Sequence, residues 1–152
     1  MALLSTMMDT VREALTLQVY SINAGYAGQT KFKEHNSAKS GNIRTVTKSR
    51  LFEVEIDADG GDTEFSIGSD TISQFVFFNI CICYKATQKQ KISAAQDVNL
   101  IMHKLQRSPG TYPTGVSNYI VDIDTVTIEE EEDQKYFYQN IPVKAWVDTT
   151  TT

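Results

Sequence analysis

Two cysteines, three prolines, two histidines and one tryptophan are all that 152 residues contain of these types, and each scarcity removes a class of explanation. Cys81 and Cys83 stand two apart in a stretch that reads as a strand, so their side chains point the same way and suit packing better than bridging. Free, buried thiols in a reducing compartment are the expectation. His35 and His103 form no ligand-spaced motif with the cysteine pair, which argues against a zinc site. No Gly-x-Ser-x-Gly elbow, Walker loop or Cys/His signature occurs, so no catalysis and no cofactor are expected.

Positive charge is also short. A net charge of -5 and a pI near 5.0 speak against general affinity for nucleic acid or an anionic membrane. No long apolar run is present: Leu3, Leu4, Met7 and Met8 are interrupted by Asp9, Arg12 and Glu13 before a signal-peptide core or a membrane span could form.

What remains is enough for one domain spanning residues 1–152. A chain this long buries roughly 70% of the surface it would expose when unfolded, and 41% hydrophobic with 22% charged residues is an ordinary globular balance. Residues 3–17 place Leu4, Met7, Met8, Val11, Ala14 and Leu15 at helical spacing. A long polar loop follows at about 25–49, rich in Gly, Ser, Thr, Asn and Lys. Lys31, Lys33, Lys39, Arg44, Lys48 and Arg50 face only Glu34 between residues 31 and 50. That segment is therefore net positive while the rest of the chain is strongly acidic.

Phe52 to Asp57 alternates apolar and acidic residues, as a strand with one wet face does, whereas Phe75 to Tyr84 is apolar at nearly every position and reads as a central strand. Asn79, its one polar interruption, is expected to be a satisfied core amide. Ser93 with Gln96 three residues later looks like a capping box ahead of Val98, Ile101, Met102 and Leu105, giving a helix at about 93–106 closed by Ser108, Pro109 and Gly110. Met102 and His103 read as packing and surface rather than ligands.

Tyr119, Val121 and Ile123 alternate, Val126 and Ile128 take the opposite parity, and a bulge or bend near Thr125 would account for the switch. Glu129, Glu130, Glu131, Glu132 and Asp133 read as a hairpin tip. They lack the spacing and glycine of a calcium loop. The last strand should carry Phe137, Ile141, Val143, Ala145 and Val147 on one face and Tyr136, Tyr138, Lys144 and Trp146 on the other, with Pro142 marking an edge or an irregularity and Thr149–Thr152 frayed. The fold class is therefore α+β: an antiparallel sheet with an N-terminal helix and a second helix packed on one face.

In the order of these elements, and in the character of Ser93–Leu105 and Ile141–Val147, the chain resembles the tail-terminator (tail-completion) proteins of long-tailed bacteriophages and their neck-protein relatives. The resemblance covers most of the chain. It implies a virion structural protein, made in the host cytoplasm, that forms a six-membered homo-oligomeric ring on the head-proximal end of the tail tube. Such a ring stops tube polymerisation and presents a surface to the head-completion or connector protein. It uses no cofactor and passes genome DNA without binding it specifically. On that footing Lys31, Lys33, Lys39, Arg44 and Lys48 are candidate subunit-interface residues, and Glu129, Glu130, Glu131, Glu132 and Asp133 candidate channel-lining residues. A head-completion or connector role is the neighbouring alternative. A monomeric nucleic-acid-binding module using Tyr136, Tyr138 and Trp146 beside Lys135 and Lys144 is a third, and a solvated basic loop with no partner is the plain alternative for the lysines.

Overall fold

The computed structural model describes residues 3–22, 33–34, 50–57, 65–68, 70–107, 112–130 and 135–150. Among these residues two helices, α1 (Leu4–Tyr20) and α2 (Gln88–Gln106), accompany seven strands: β1 (Lys33–Glu34), β2 (Leu51–Ile56), β3 (Phe65–Ile67), β4 (Thr71–Lys85), β5 (Val116–Val121), β6 (Thr127–Glu130) and β7 (Tyr136–Thr150). The strands form one sheet in the order β1-β2-β4-β7-β5, with β3 pairing β4 and β6 pairing β7 outside that path. All pairings are antiparallel except the short parallel contact of β1 with β2.

The spine of the sheet is the ladder between β4 and β7, which pairs residues 71–85 with 136–150 in unbroken register. Period-two alternation then sorts side chains onto two faces. Val76, Phe78, Ile80, Ile82 and Tyr84 of β4 join Phe137, Ile141, Val143, Ala145 and Val147 of β7 and Phe52 and Val54 of β2 in the main core. Both helices lie against this face. From α1 come Met7, Val11, Leu15 and Val19, one every four residues, and from α2 come Ala94, Val98, Ile101 and Leu105. Each buried Val, Leu, Ile or Met among them contributes about 1.5–3 kcal/mol of transfer free energy. Leu51, Cys81, Cys83 and Tyr138 form a smaller cluster on the opposite face, with no helix residue in it. Both cysteines are buried and neither is in a disulfide.

Several sequence expectations hold, and others are corrected. The two-faced reading of the last strand is borne out residue by residue, and the stretch from Phe75 is central as expected, although β4 starts earlier, at Thr71. Asn79 is satisfied: its Nδ2 donates to Asn140 Oδ1 at 2.9 Å. The second helix begins five residues before Ser93. Its cap is Thr87, in extended conformation, whose hydroxyl accepts from the Gln90 amide at 3.2 Å. Ser93 lies inside the helix, buried, and donates to the Lys89 carbonyl at 3.0 Å. The polar first turn Gln88–Lys91 adds nothing to the apolar stripe, which is why periodicity does not reveal it.

Pro142 lies in an interior strand, not at an edge, opposite Asn79 of β4. Its carbonyl accepts from the Asp122 amide at 3.0 Å, so its missing N–H faces the same side, toward the break between β5 and β6. That break is a short 3-10 turn, Ile123–Thr125, which supplies the expected bend, takes Ile123 out of the strand and spares the sheet an unmade hydrogen bond. Glu129 and Glu130 belong to β6, paired with Tyr138 and Phe137, rather than to a turn. Thr149 and Thr150 are not frayed. They pair with Ile72 and Thr71, and Thr149 Oγ1 donates to the Ile72 carbonyl at 3.2 Å.

Candidate assembly surfaces

The polar side chains buried most deeply form a network that seals α2 to the sheet. Arg50 precedes β2 with φ at 69°, a left-handed conformation unusual for a residue with a Cβ. Its amide donates to the Cys83 carbonyl at 2.7 Å, and its guanidinium reaches Asp97 Oδ1 at 2.8 Å. Tyr84 donates to the other carboxylate oxygen at 2.9 Å, and Gln139 Nε2 donates to the Ala94 carbonyl at 2.9 Å. Arg50 and Asp97 are both 0% exposed. Burial pushes the Asp97 carboxyl up to about 6, and the charge of Arg50 and the hydrogen bonds from Tyr84 and Arg50 hold it back from rising further. Closed off from solvent, this network positions structure and does not meet a substrate.

Sequence reading missed it, yet one signal was present. Asp97 falls on the helix stripe between Ala94, Val98 and Ile101, and a carboxylate at a core position requires a buried partner. Nothing in the sequence says that the partner is Arg50, 47 residues away.

Outside the core, three surfaces stand out. The first is β6, where every residue is exposed, Ile128 by 53%. Among the described residues it pairs only with β7, which makes it an acidic edge strand carrying Glu129 and Glu130. Lys91 of α2 reaches Glu130 at 3.4 Å, and these two with Ala86 and Tyr136 line a shallow open depression. Of the acidic run, Glu131, Glu132 and Asp133 lie outside the described residues, as do Lys31, Lys39, Arg44 and Lys48 and the polar loop apart from the backbone of Lys33 and Glu34 in β1.

The second surface is the sheet face that no helix of the described residues covers. Phe75 and Trp146 meet there edge to face, with centroids 4.7 Å apart at 73°, and the Lys144 ammonium sits 4.6 Å from the Phe75 centroid. Ile120 of β5 pairs with Lys144, and Asn118 with Trp146. The third is the outer stripe of α1, where Leu17 is 69% and Tyr20 59% exposed. Of the aromatics first considered as a stacking platform, Tyr138 is buried against Leu51, Cys81 and Cys83, so its ring is not available to a base.

His103 is on the exposed side of α2, and among the described residues no group of three or more His, Cys, Asp or Glu is placed to hold a metal ion. No helix among them is long and apolar enough to cross a membrane. No protein-family model matches the sequence, and no curated protein does. Among solved structures, the chain is similar to one from the "Virion of native gene transfer agent (GTA) particle", with a TM-score of 0.62 at 11% identity, covering 91% of this chain and 94% of that one; at this identity the likeness is one of fold.

Proposed function

We propose that the protein is a structural component of a phage-type virion, and within it the terminator that forms a ring at the head-proximal end of the tail tube. The observation carrying this reading is the structural match to a chain of a gene transfer agent virion over nearly the full length of both partners. The surfaces support it. A ring is built from heterologous contacts, one surface meeting a different one, and the chain offers an acidic edge strand, a basic stretch of sequence at 31–48 and a sheet face that no described helix covers. In this reading Lys31, Lys33, Lys39, Arg44 and Lys48 contact a neighbour's acidic surface, while Glu129–Asp133 line a channel that repels DNA phosphates and lets the genome slide. The partners are further copies of the chain, the tube protein below and the head-completion protein above. No catalytic step is assigned.

Native mass spectrometry over a wide concentration range, alone and with purified tail-tube ends, tests it. A six-subunit species, free or on the tube, is the expected result. A monomer under both conditions overturns the ring. Capped tubes that no longer lengthen separate the terminator from a head-completion role, in which tube growth would be unaffected.

A further inference from the structure

The outer stripe of α1 and the uncovered sheet face carry matching chemistry on opposite sides of the molecule. Glu13, Leu17 and Tyr20 follow one another at i, i+4 and i+7, so they share one exposed stripe. One turn before them Asp9 is engaged by Arg12 at 3.9 Å, whereas Glu13 has no ion-pair partner among the described residues. The stripe thus passes from an unpaired carboxylate to two large apolar side chains. On the sheet, Phe75, Trp146 and Ile120 are half-buried around Lys144, whose ammonium rests on the Phe75 ring and meets no carboxylate among the described residues.

These two patches cannot meet within one molecule, because α1 packs against the other face of the sheet. We propose that the Glu13–Leu17–Tyr20 stripe of one copy seats on the Phe75–Lys144–Trp146 face of the next. This rests on the ring reading and names the apolar part of its interface. Because the patches differ and lie back to front, the contact is heterologous and repeats from copy to copy, as a ring requires. Burying Leu17 and Tyr20 against two aromatic rings gives the contact its apolar centre, and Glu13 with Lys144 fixes its register. A stable interface covers about 800 Å² on each partner, more than these side chains supply, so this patch is the centre of the contact and not its whole. A second copy fits the sheet face better than nucleic acid does, since Glu55 and Asp148 put carboxylates on that same face.

Trp146, the sole tryptophan, lies inside the proposed contact and reports on it directly. In the full-length protein its emission should shift to the blue as the six-subunit species forms in native mass spectrometry, with tube ends added if the free protein is monomeric. The helix variant L17D/Y20D and the sheet variant K144E should each weaken assembly at least tenfold while melting within a few degrees of the wild type. The charge swap E13K/K144E should restore assembly over K144E alone. Mixed together, L17D/Y20D and F75D/K144E should give a two-subunit species, because each keeps one sound half of the contact. If F75D/K144E fails to fold, K144E replaces it in the mixture. Rings that form undiminished from both L17D/Y20D and K144E overturn this interface and leave the ring reading standing. A wild-type protein that stays monomeric with and without tube ends overturns both. Quenching of Trp146 by a single-stranded oligonucleotide, with the protein still monomeric, assigns the face to nucleic acid and overturns the proposal.

Discussion

The Arg50 guanidinium and the Asp97 carboxylate lie 2.8 Å apart across the seam between the sheet and α2, with neither side chain reaching solvent. Desolvation is the dominant influence on the acid, outweighing the opposing pull of Arg50 and Tyr84. A buried pair of this kind fixes one arrangement of its surroundings more than it stabilises the whole.

The pH dependence follows from the raised pKa of Asp97. The folded protein binds its proton more tightly than the unfolded chain does, whose value is 3.8 against about 6 when folded. The resulting stability is present below pH about 4 and is lost as pH rises through about 6. Asp97→Asn removes the titration. The stability of the wild type relative to that variant should fall by roughly 3 kcal/mol between pH about 4 and about 7, measured by urea unfolding. Arg50→Met keeps the backbone strain but strips the acid of its cation, and should cost about 3–5 kcal/mol at neutral pH.

Thr87, not Ser93, caps the second helix, and the two substitutions should separate cleanly in thermal unfolding. Thr87→Ala should cost about 1 kcal/mol through the lost bond to the Gln90 amide. Ser93→Ala should change stability by no more than about 0.5 kcal/mol, because it removes a hydroxyl bonded back to Lys89 inside the helix and gains helix propensity. A loss at Ser93 with none at Thr87 would return the helix start to Ser93.

Gly115 has φ at 89°, and a Cβ there would stand 3.2 Å from Met7 Cε. Gly115→Ala should cost about 1–2 kcal/mol from the left-handed backbone alone. The shift in urea midpoint of Gly115→Ala against the wild type measures the cost.

Charge reversal at Lys31, Lys33 and Lys39 together should weaken ring formation and lessen its sensitivity to salt, while the melting temperature of the monomer hardly moves. Sedimentation at low and moderate salt measures both effects. Unaltered assembly would take the basic segment out of the interface.

How far the fold was legible depended on whether a signal was local. The alternation of Phe137 to Val147 placed five side chains on the core face, and the nearly continuous apolar run from Phe75 marked the central strand, because burial imposes those patterns directly. Pro142 marked an edge or an irregularity without telling which, since a missing donor is tolerated wherever the neighbouring strand is interrupted, and the interruption at Ile123–Thr125 is a matter of pairing, not of composition. Ser93 imitated a cap because the same residue types serve as caps and as buried helical hydroxyls. Of the candidate surfaces, Glu129 and Glu130 are exposed as charge alone suggested. The meeting of Phe75, Lys144 and Trp146 needed the register of β4 against β7, which depends on residues some seventy positions apart.

That same ladder governs when the protein can fold. Strand β7 follows both β4 and β5 in sequence, yet it lies between them. Until it has been synthesised, β4 lacks its main partner and the facing edges of β4 and β5 stay unpaired. Folding of the sheet therefore waits on β7 and is dominated by long-range closure, which is slow. In the interval the apolar run of β4 is a hazard for aggregation. Yield of native protein should accordingly respond to expression temperature and chaperone supply more than to any surface substitution.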